Sequence, residues 1–297
     1  MKSQSIGRKA FLVFDHIFLA ALGVLCLLPF VNLLAISFSS SYAVSANLVA
    51  FWPVGFNTKN YELMMKSGQF LTAFGVSAVR VILGVGLNMI MIVLCAYPLS
   101  REKSQFPSGR YYAWFFVLPM LFNVPLIPWY LVIKSTGLID TMGALVIPGA
   151  VQVFSIIVLL NFFRALPKEL EEAAYIDGAG HLATLLRIYV PLSAPSLATL
   201  TLFSLVYHWN SWFDGLILMN RPEHYPLQSY LQTILITPET LLHNLANTGD
   251  LSRILNFVSA RSSRASQIFI AALPILLVYP FLQKYFTKGL VLGSVKG

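Results

Sequence analysis

Ionisable side chains are scarce in this sequence, so each one inside an apolar run raises a chemical question. Arg80, His208 and Asp214 fall in or beside long apolar stretches. An intramembrane histidine close to a carboxylate has the parts of a proton relay. The same groups could instead be paired structurally, with water or a partner completing His208 and Asp214 near the outer end of their stretch, and pairing is the simpler reading. Trp209, Asn210, Trp212 and Phe213 lie among them, in WNSWFDGLI at 209–217. Such rings can stack on sugar faces or contact a partner, and they can equally form an aromatic belt at the membrane surface. A second concentration of polar residues is EEAAYIDGAGHLATLLRIYVP at 171–191, which sits between two apolar runs.

Other chemistries find no support. Gly178-Ala179-Gly180-His181-Leu182-Ala183 fits the dinucleotide pattern G-x-G-x-x-A, but that motif needs a preceding strand, and a charged helical stretch precedes it here. No G-x-x-x-x-G-K-[ST] occurs, so a P-loop for ATP is not expected, and no H-E-x-x-H occurs. The histidines are scattered, and Cys26 and Cys95 lie in apolar runs with neither disulfide nor metal spacing. The chain is expected to have no catalytic residue, no cofactor and no metal of its own.

The chain of 297 residues is 57% hydrophobic and 11% charged, with a mean hydropathy of +0.72. A soluble domain carries about 25% charged residues, so the bulk of this chain is built for lipid. The net charge of +8 is not read as a nucleic-acid signal, because the charges flank apolar runs. A basic start, MKSQSIGRKA, precedes an apolar run from Phe11 to Phe38, and AVSA at 43–46 resembles a cleavage site. The run is far longer than a signal sequence's apolar core of ~7–15 residues, so it reads as an uncleaved first span.

A membrane helix needs ~20 mostly apolar residues. Six segments qualify: 14–36, 70–98, 113–133, 143–164, 192–218 and 265–287. Each is expected to be helical, because irregular backbone cannot face lipid, and Pro119, Pro125 and Pro128 make the third irregular. Placing both termini in the cytoplasm puts twelve Lys and Arg inside and seven outside, the sense of the positive-inside rule. Outer segments then fall at 39–69 and 219–264, a short inner segment at 1–13, and an inner tail at 288–297. The outer segments could be solvated loops or docking surfaces. No internal repeat suggests an inverted-repeat transporter.

In this topology residues 165–191 face the cytoplasm. Pro167 suits a first helical position of PKELEEAAYI, and its acidic residues suit the helix dipole. Leu170, Ala173 and Ala174 share a face, Gly178 and Gly180 break the helix, and a second short helix over 181–189 aligns Leu182, Leu185, Leu186 and Tyr189 until Pro191. The result is a compact knob with small residues that permit close approach.

The stretch resembles the EAA loop of ABC-importer permeases, E-A-A-x-x-x-G followed by I-x-L-P. The chain reads Glu172-Ala173-Ala174-Tyr175-Ile176-Asp177-Gly178, then Ile188-Tyr189-Val190-Pro191, with valine where leucine is usual. FWPVGFNTKNY at 51–61, WNSWFDGLI, and LPILLVYPFLQKYFTKGLVLGSVKG at the C-terminus resemble the maltose-type carbohydrate permeases; with FSSSYAVSA at 38–46 the chain is most similar to the branch for oligosaccharides from complex polysaccharides. The resemblance implies an all-α, six-helix permease of a prokaryotic cytoplasmic (inner) membrane. It implies a second permease, two ATPase subunits that bind ATP and Mg, an extracytoplasmic sugar-binding protein and an oligosaccharide substrate. It further implies that Glu172 pairs with a basic ATPase residue, Ala173 and Ala174 pack in its groove, Gly178 makes the bend, Asp177 supports the bend or adds a contact, and Leu182, Leu185 and Leu186 lock the knob to its bundle. The tail GLVLGSVKG would reach toward the ATPases. The alternative is a stand-alone secondary carrier or channel for small polar solutes.

Overall fold

A computed structural model describes residues 6–66, 68–122, 124–236, 261–278 and 280. Among the described residues there is no strand, and the chain is a succession of helices and tight turns. It divides into two compact units, residues 1–68 with 233–273 and residues 69–232 with 274–297.

The first unit is led by the helix Ile6–Ser37, 32 residues long. At 1.5 Å per residue this is about 48 Å, more than the ~30 Å of a bilayer's hydrocarbon. Large apolar side chains from Phe11 to Val31 stand exposed around it, which only a nonaqueous surround tolerates. Its end is pinned by polar groups. Ser39 Oγ donates to Ala35 O at 2.6 Å and accepts from Val54 N at 3.0 Å, and Asn60 Nδ2 donates to Ser37 O at 3.2 Å. Phe38 stacks between Phe56 and Tyr61, at 5.4 and 4.7 Å. The segment after the first helix is therefore a folded cap with short helices Ser41–Ser45 and Lys59–Lys66, and Trp52 and Phe56 project from it, 81% and 68% exposed.

The second unit is organised by the helix Gly68–Leu99. Its buried residues, Phe70, Ala73, Ser77, Arg80, Gly84, Asn88, Ile92, Ala96 and Leu99, recur every three or four positions and form one stripe. Val79, Ile82, Leu83, Ile90 and Leu94 are exposed. Polar groups at the centre of the buried face and apolar groups outside invert the soluble pattern, as lipid contact requires. Ile92 and Ala96 pack with Ile156, Leu159, Leu185 and Leu200 in the main apolar cluster.

Asn88 ties three segments together. Its Nδ2 donates to Gly149 O and Ala150 O at 2.7 and 2.8 Å, and its Oδ1 accepts from Ser204 Oγ and His208 Nε2, both at 2.7 Å. This approach depends on Gly84, where a Cβ would lie 2.5 Å from the His208 ring. Arg80, 1% exposed, pairs with Asp214 and donates to its Oδ1 at 3.2 Å. Sequence placed His208 and Asp214 where water or a partner would complete them; the chain's own Asn88 and Arg80 do so.

The expected spans are more broken than the apolar runs suggested. The third is two helices, Gly109–Leu121 and Leu126–Ser135, parted at the prolines as anticipated. The fourth is Met142–Val146, a 3₁₀ turn Ile147–Gly149, and Val153–Ala165 after a 46° bend. The fifth does not run continuously to 218: Ala194–Asn210 ends, and Phe213–Leu218 starts afresh. At the break Asp214, in the first turn of the new helix, accepts through Oδ1 from Ser211 Oγ at 2.8 Å and Gly215 N at 2.9 Å, so it satisfies groups that a helix start leaves unpaired. Of the sixth, 261–278 are helical. Part of the outer segment, the rest of the sixth span and the C-terminal tail lie outside the described residues.

The Arg80–Asp214 pair yields a stability prediction. Asp214→Ala leaves Arg80 buried without its counter-charge and should cost about 3–5 kcal/mol. The double variant Arg80→Met/Asp214→Leu should recover most of that. Thermal unfolding in detergent measures both, and a double variant as unstable as the single one would contradict the pairing.

Candidate functional site

The segment 165–191 folds as the knob expected from its sequence, with local differences. Its first helix is Glu169–Ile176, with Glu169, Glu171 and Glu172 in the first turn, where the helix dipole favours negative charge. Pro167 lies two residues before the helix rather than at its first position. The helix ends in a Schellman motif: Ala179 N donates to Ala174 O at 2.9 Å and Gly178 N to Tyr175 O at 3.0 Å. Gly178 has φ +78, a left-handed conformation that a side chain disfavours. Its role in the G-x-G-x-x-A pattern is thus to stop a helix, and the strand a dinucleotide site needs is absent here.

The knob has an inward and an outward face. Ala174 is buried at 8%, turned into its own chain, so it does not share the exposed face with Ala173. Glu172, Ala173, Ile176, Asp177 and Gly178 are exposed, Ile176 at 86%. The second part is not one α-helix over 181–189: a turn His181–Thr184 passes into a π-helical turn Leu185–Tyr189, followed by Val190–Leu192 with Pro191 in its first turn. Leu185 and Tyr189 are buried, at 3% and 7%, whereas Leu182 and Leu186 are 65% and 56% exposed. The expected locking stripe is therefore split. Thr184, Leu185 and Tyr189 face the bundle, and Leu182 and Leu186 lie on the flank of that arc.

What holds the knob is a cluster that sequence reading did not single out. Arg101, just beyond the Gly68–Leu99 helix, pairs with Glu171 of the knob's first helix, and both side chains are largely buried. Tyr189 from the knob's second part donates to the other Glu171 oxygen at 2.6 Å. The Arg101 guanidinium lies 4.0 Å from the Tyr97 ring centre and 4.9 Å from that of Tyr189, a cation between two aromatic faces. Arg164 Nη2 caps the end of the Gly68–Leu99 helix by donating to Leu99 O at 2.9 Å. Lys168–Glu102 is an exposed pair on the rim, worth ~0–1 kcal/mol. Glu171 is squeezed from two sides: burial pushes its carboxyl up, but Tyr189, Tyr175 and Arg101 hold it below the ordinary value. Burial and Glu171 together push the Tyr189 hydroxyl up to about 12. A polar recess of about 580 Å³ opens beside this cluster, lined in part by Arg164, Lys168, Glu172 and Tyr175.

The second candidate group is dispersed. Trp209 is 5% exposed, with its ring edge-on to Phe74 at 5.6 Å, so it is core and unavailable to a ligand. Asn210, Trp212 and Phe213 remain exposed or partly so. Elsewhere in the same unit, Asp140 pins the turn after the Phe213–Leu218 helix. Burial pushes its carboxyl up, but Asn220 N, His224 and Arg221 N outweigh that and hold it down to about 2.

A helical, lipid-adapted chain with a clamped, acidic, glycine-stopped knob is the architecture of a transporter's membrane subunit. This chain belongs to the family of binding-protein-dependent transport system inner membrane components, whose pattern residues 108–292 match. It is 38% identical to the protein LplC of Bacillus subtilis, covering 100% of this chain and 98% of the relative. It is 35% identical to a polygalacturonan/rhamnogalacturonan transport system permease of the same organism, YtcP, over 94% and 96% of the two chains. Among solved structures it resembles a chain of a bacterial ABC transporter involved in the import of the acidic polysaccharide alginate, with a TM-score of 0.84 and 28% identity, covering 96% of this chain and 100% of that one. The chain is thus a permease of a binding-protein-dependent importer.

The Glu171 clamp carries a pH signature. Its carboxyl titrates below the ordinary 4.5 when the knob is docked, so the contribution is fully present above 4.5 and is lost as pH falls through the lowered value. The protection of amides 169–176, that is, their exchange relative to the intrinsic base-catalysed rate at each pH, should therefore fall on acidification. In Glu171→Gln protection should already be low at neutral pH and change little over that range. An unchanged profile in the variant would mean that Glu171 does not hold the knob.

Proposed function

We propose that this chain is one of two permeases of an ATP-driven oligosaccharide importer, and that its 165–191 knob is the part that docks on an ATPase subunit. The observation that carries this reading is the division of the knob into a clamped and a free face. Arg101, Glu171 and Tyr189 fix it to the bundle, while Glu172, Ala173, Ile176 and Leu182 point away. A loop serving only its own chain gains nothing from presenting Ile176 and Leu182. A loop that must move with a partner needs apolar area for that partner and a stiff connection behind it.

In this reading the chain crosses the membrane six times, with residues 1–13, 165–191 and 288–297 in the cytoplasm and outer segments at 39–69 and 219–264. Two ATPase subunits hold the ATP and Mg, in keeping with a sequence that carries no G-x-x-x-x-G-K-[ST] loop. Glu172 pairs with a basic ATPase residue, Ala173 and Ile176 enter its groove, and Leu182 adds contact at the rim. Asp177 and Gly178 shape the stop, Pro191 leads into the next helix, and Ala174 and Leu185 seat the knob on its own side. Closure of the ATPases around ATP moves the knobs and, through Arg101, the Gly68–Leu99 helix, so access switches between the two sides of the membrane. A sugar-binding protein delivers the substrate from outside, and the exposed rings of the 51–61 cap suit its docking. The carbohydrate class is supported by relatives named for polygalacturonan/rhamnogalacturonan and for arabinooligosaccharides.

Glu172→Lys or Gly178→Pro should leave the chain in the membrane and assembled with its second permease while sugar uptake falls at least tenfold. The first reverses a charge at the docking face; the second puts a ring where φ is positive and removes the Gly178 donor. Copurification of the tagged chain measures whether an ATPase bearing a P-loop comes with it, and radiolabelled oligosaccharide uptake measures coupling. Wild-type uptake by both variants, or a chain that purifies and transports alone, would overturn the reading.

A further inference from the structure

Asp140 stands in the loop between the helices Leu126–Ser135 and Met142–Val146. Its φ is +62, one of two positive values at non-glycine positions among the described residues, in a region that most side chains avoid. The bonds show what this conformation achieves. Asp140 N donates to Leu218 O at 2.9 Å. Its Oδ1 accepts from Asn220 N at 3.0 Å, from His224 Nδ1 at 2.8 Å and, at 3.4 Å, from Arg221 N, while Oδ2 accepts from Arg221 Nε at 3.0 Å. The carboxyl, held down to about 2, is ionised at every working pH, so these bonds are charge-assisted.

The ends of the bonded turn have their own support. Leu218 and Met219 are buried with Ile133, Ala144 and Leu145, and Tyr225 packs against them. The following helix, Leu227–Ile236, starts on two hydroxyls: Leu227 N donates to Ser77 Oγ at 2.7 Å, and Ser229 Oγ donates to Trp212 O at 2.7 Å. Gly215 permits this approach, because a Cβ there would collide with Ser229 Oγ and lie 2.8 Å from Pro226 Cδ. With both ends fixed in this way, the Asp140 carboxylate adds order to the residues between them. Asn220, Arg221, Pro222 and Glu223 are exposed. Holding them still buries no apolar area, and a surface connection of this composition is ordinarily mobile. It does serve a partner that docks on the turn, because ordering done beforehand is not charged to binding. Arg221 and Glu223 present one charge of each sign, which suits a polar protein surface and not a lipid face.

The turn lies far from the knob. Ser77, which receives Leu227, and Leu99, whose carbonyl Arg164 caps, are about 33 Å apart along one helix at 1.5 Å per residue. That is close to the depth of a bilayer's hydrocarbon, ~30 Å. With the knob on the ATPase side, the pinned turn is on the side from which the binding protein arrives.

We propose that Asp140 is a positioning residue for import, which orders the turn 219–225 in advance as a seat for the external binding protein. The inference rests on the importer reading.

The test uses the whole importer, purified through a tag on this chain and reconstituted in liposomes. ATP hydrolysis is followed as its binding protein is titrated in, loaded in turn with oligosaccharides from polygalacturonan, rhamnogalacturonan and arabinan, the classes for which relatives are named. Asp140→Gly keeps the positive φ and removes the acceptors. Asp140→Asn keeps the φ, which asparagine tolerates, and keeps an Oδ1 acceptor, but loses the charge. In Asp140→Gly the half-saturating concentration of binding protein should rise about five- to tenfold, because docking must now order the turn, with basal and maximal hydrolysis within about twofold of wild type. Asp140→Asn should raise it only about two- to threefold. An unmoved half-saturating concentration in both variants, or a lower maximal rate at an unmoved concentration, would mean that Asp140 serves the fold alone and would overturn the proposal. If Asp140→Gly does not assemble, Asp140→Asn decides by the same two readings. Amide exchange gives a second view: protection of 220–224 should be lost in Asp140→Gly and return when the binding protein docks. Protection that does not return would place the seat elsewhere and also overturn the proposal. A wild-type complex that its binding protein fails to stimulate with any of these sugars would count against the importer reading itself.

Discussion

The buried polar stripe of the Gly68–Leu99 helix is the constraint on which the rest of the second unit depends. Arg80 and Asn88 sit in an environment with no water to spare, and Arg101 follows the helix end. Each needs partners from elsewhere in the chain. Asn88 draws in Gly149, Ala150, Ser204 and His208, Arg80 draws in Asp214, and Arg101 draws in Glu171. In an apolar surround, where burial of hydrocarbon gives no preference between helix and lipid, such bonds and close glycine contacts decide which helices pack and in what register. Gly84 against His208 and Gly149 against Tyr207 are those contacts.

The same stripe connects the two ends of the proposed mechanism. Arg101 grips the knob, and several turns away Asn88 and Arg80 hold Gly149, His208 and Asp214. A helix bonded along its length transmits displacement as a rod, because its hydrogen bonds resist shear more than its side-chain contacts do. In the proposed mechanism, motion imposed on the knob would travel along this helix without any need for the intervening loops to relay it. The breaks are placed accordingly. The 82° bend between His181–Leu192 and Ala194–Asn210 and the interruption at Ser211 and Trp212 lie beside the knob and beside the Arg80–Asp214 pair, where helices must change direction rather than carry load.

The likeness to LplC, YtcP and the alginate transporter chain extends across nearly the full length of the sequence. The knob's first helix ends at a glycine, and the reason is visible. Gly178 closes a Schellman motif in the left-handed region, so the acidic helix stops where the chain must turn back toward its bundle. The alanines divide by role: Ala173 faces out, and Ala174 packs inward where a larger side chain would lift the helix off its seat.

The sequence alone was enough to establish a lipid-embedded helical chain, to locate its apolar runs, to mark the proline-broken third span and to single out 165–191 with its bend at Gly178. These are local properties: hydropathy, periodicity and backbone preference act within a turn or two of helix and need no partner to be read. Partnership was another matter. Arg80 meets Asp214 across 134 residues, Arg101 meets Glu171 across 70, and Asn88 meets His208 across 120. A lone polar residue in an apolar run announces that it has a mate but not which one, because that choice depends on how helices cross. For the same reason the apolar repeat of Leu182, Leu185 and Leu186 could not tell which leucine would be buried, and the Trp209 ring, with the composition of a sugar platform, proved to be core. Only the packed structure brings Asp140, in a loop of its own, to the amides of Asn220 and Arg221, 80 and 81 residues further along the chain.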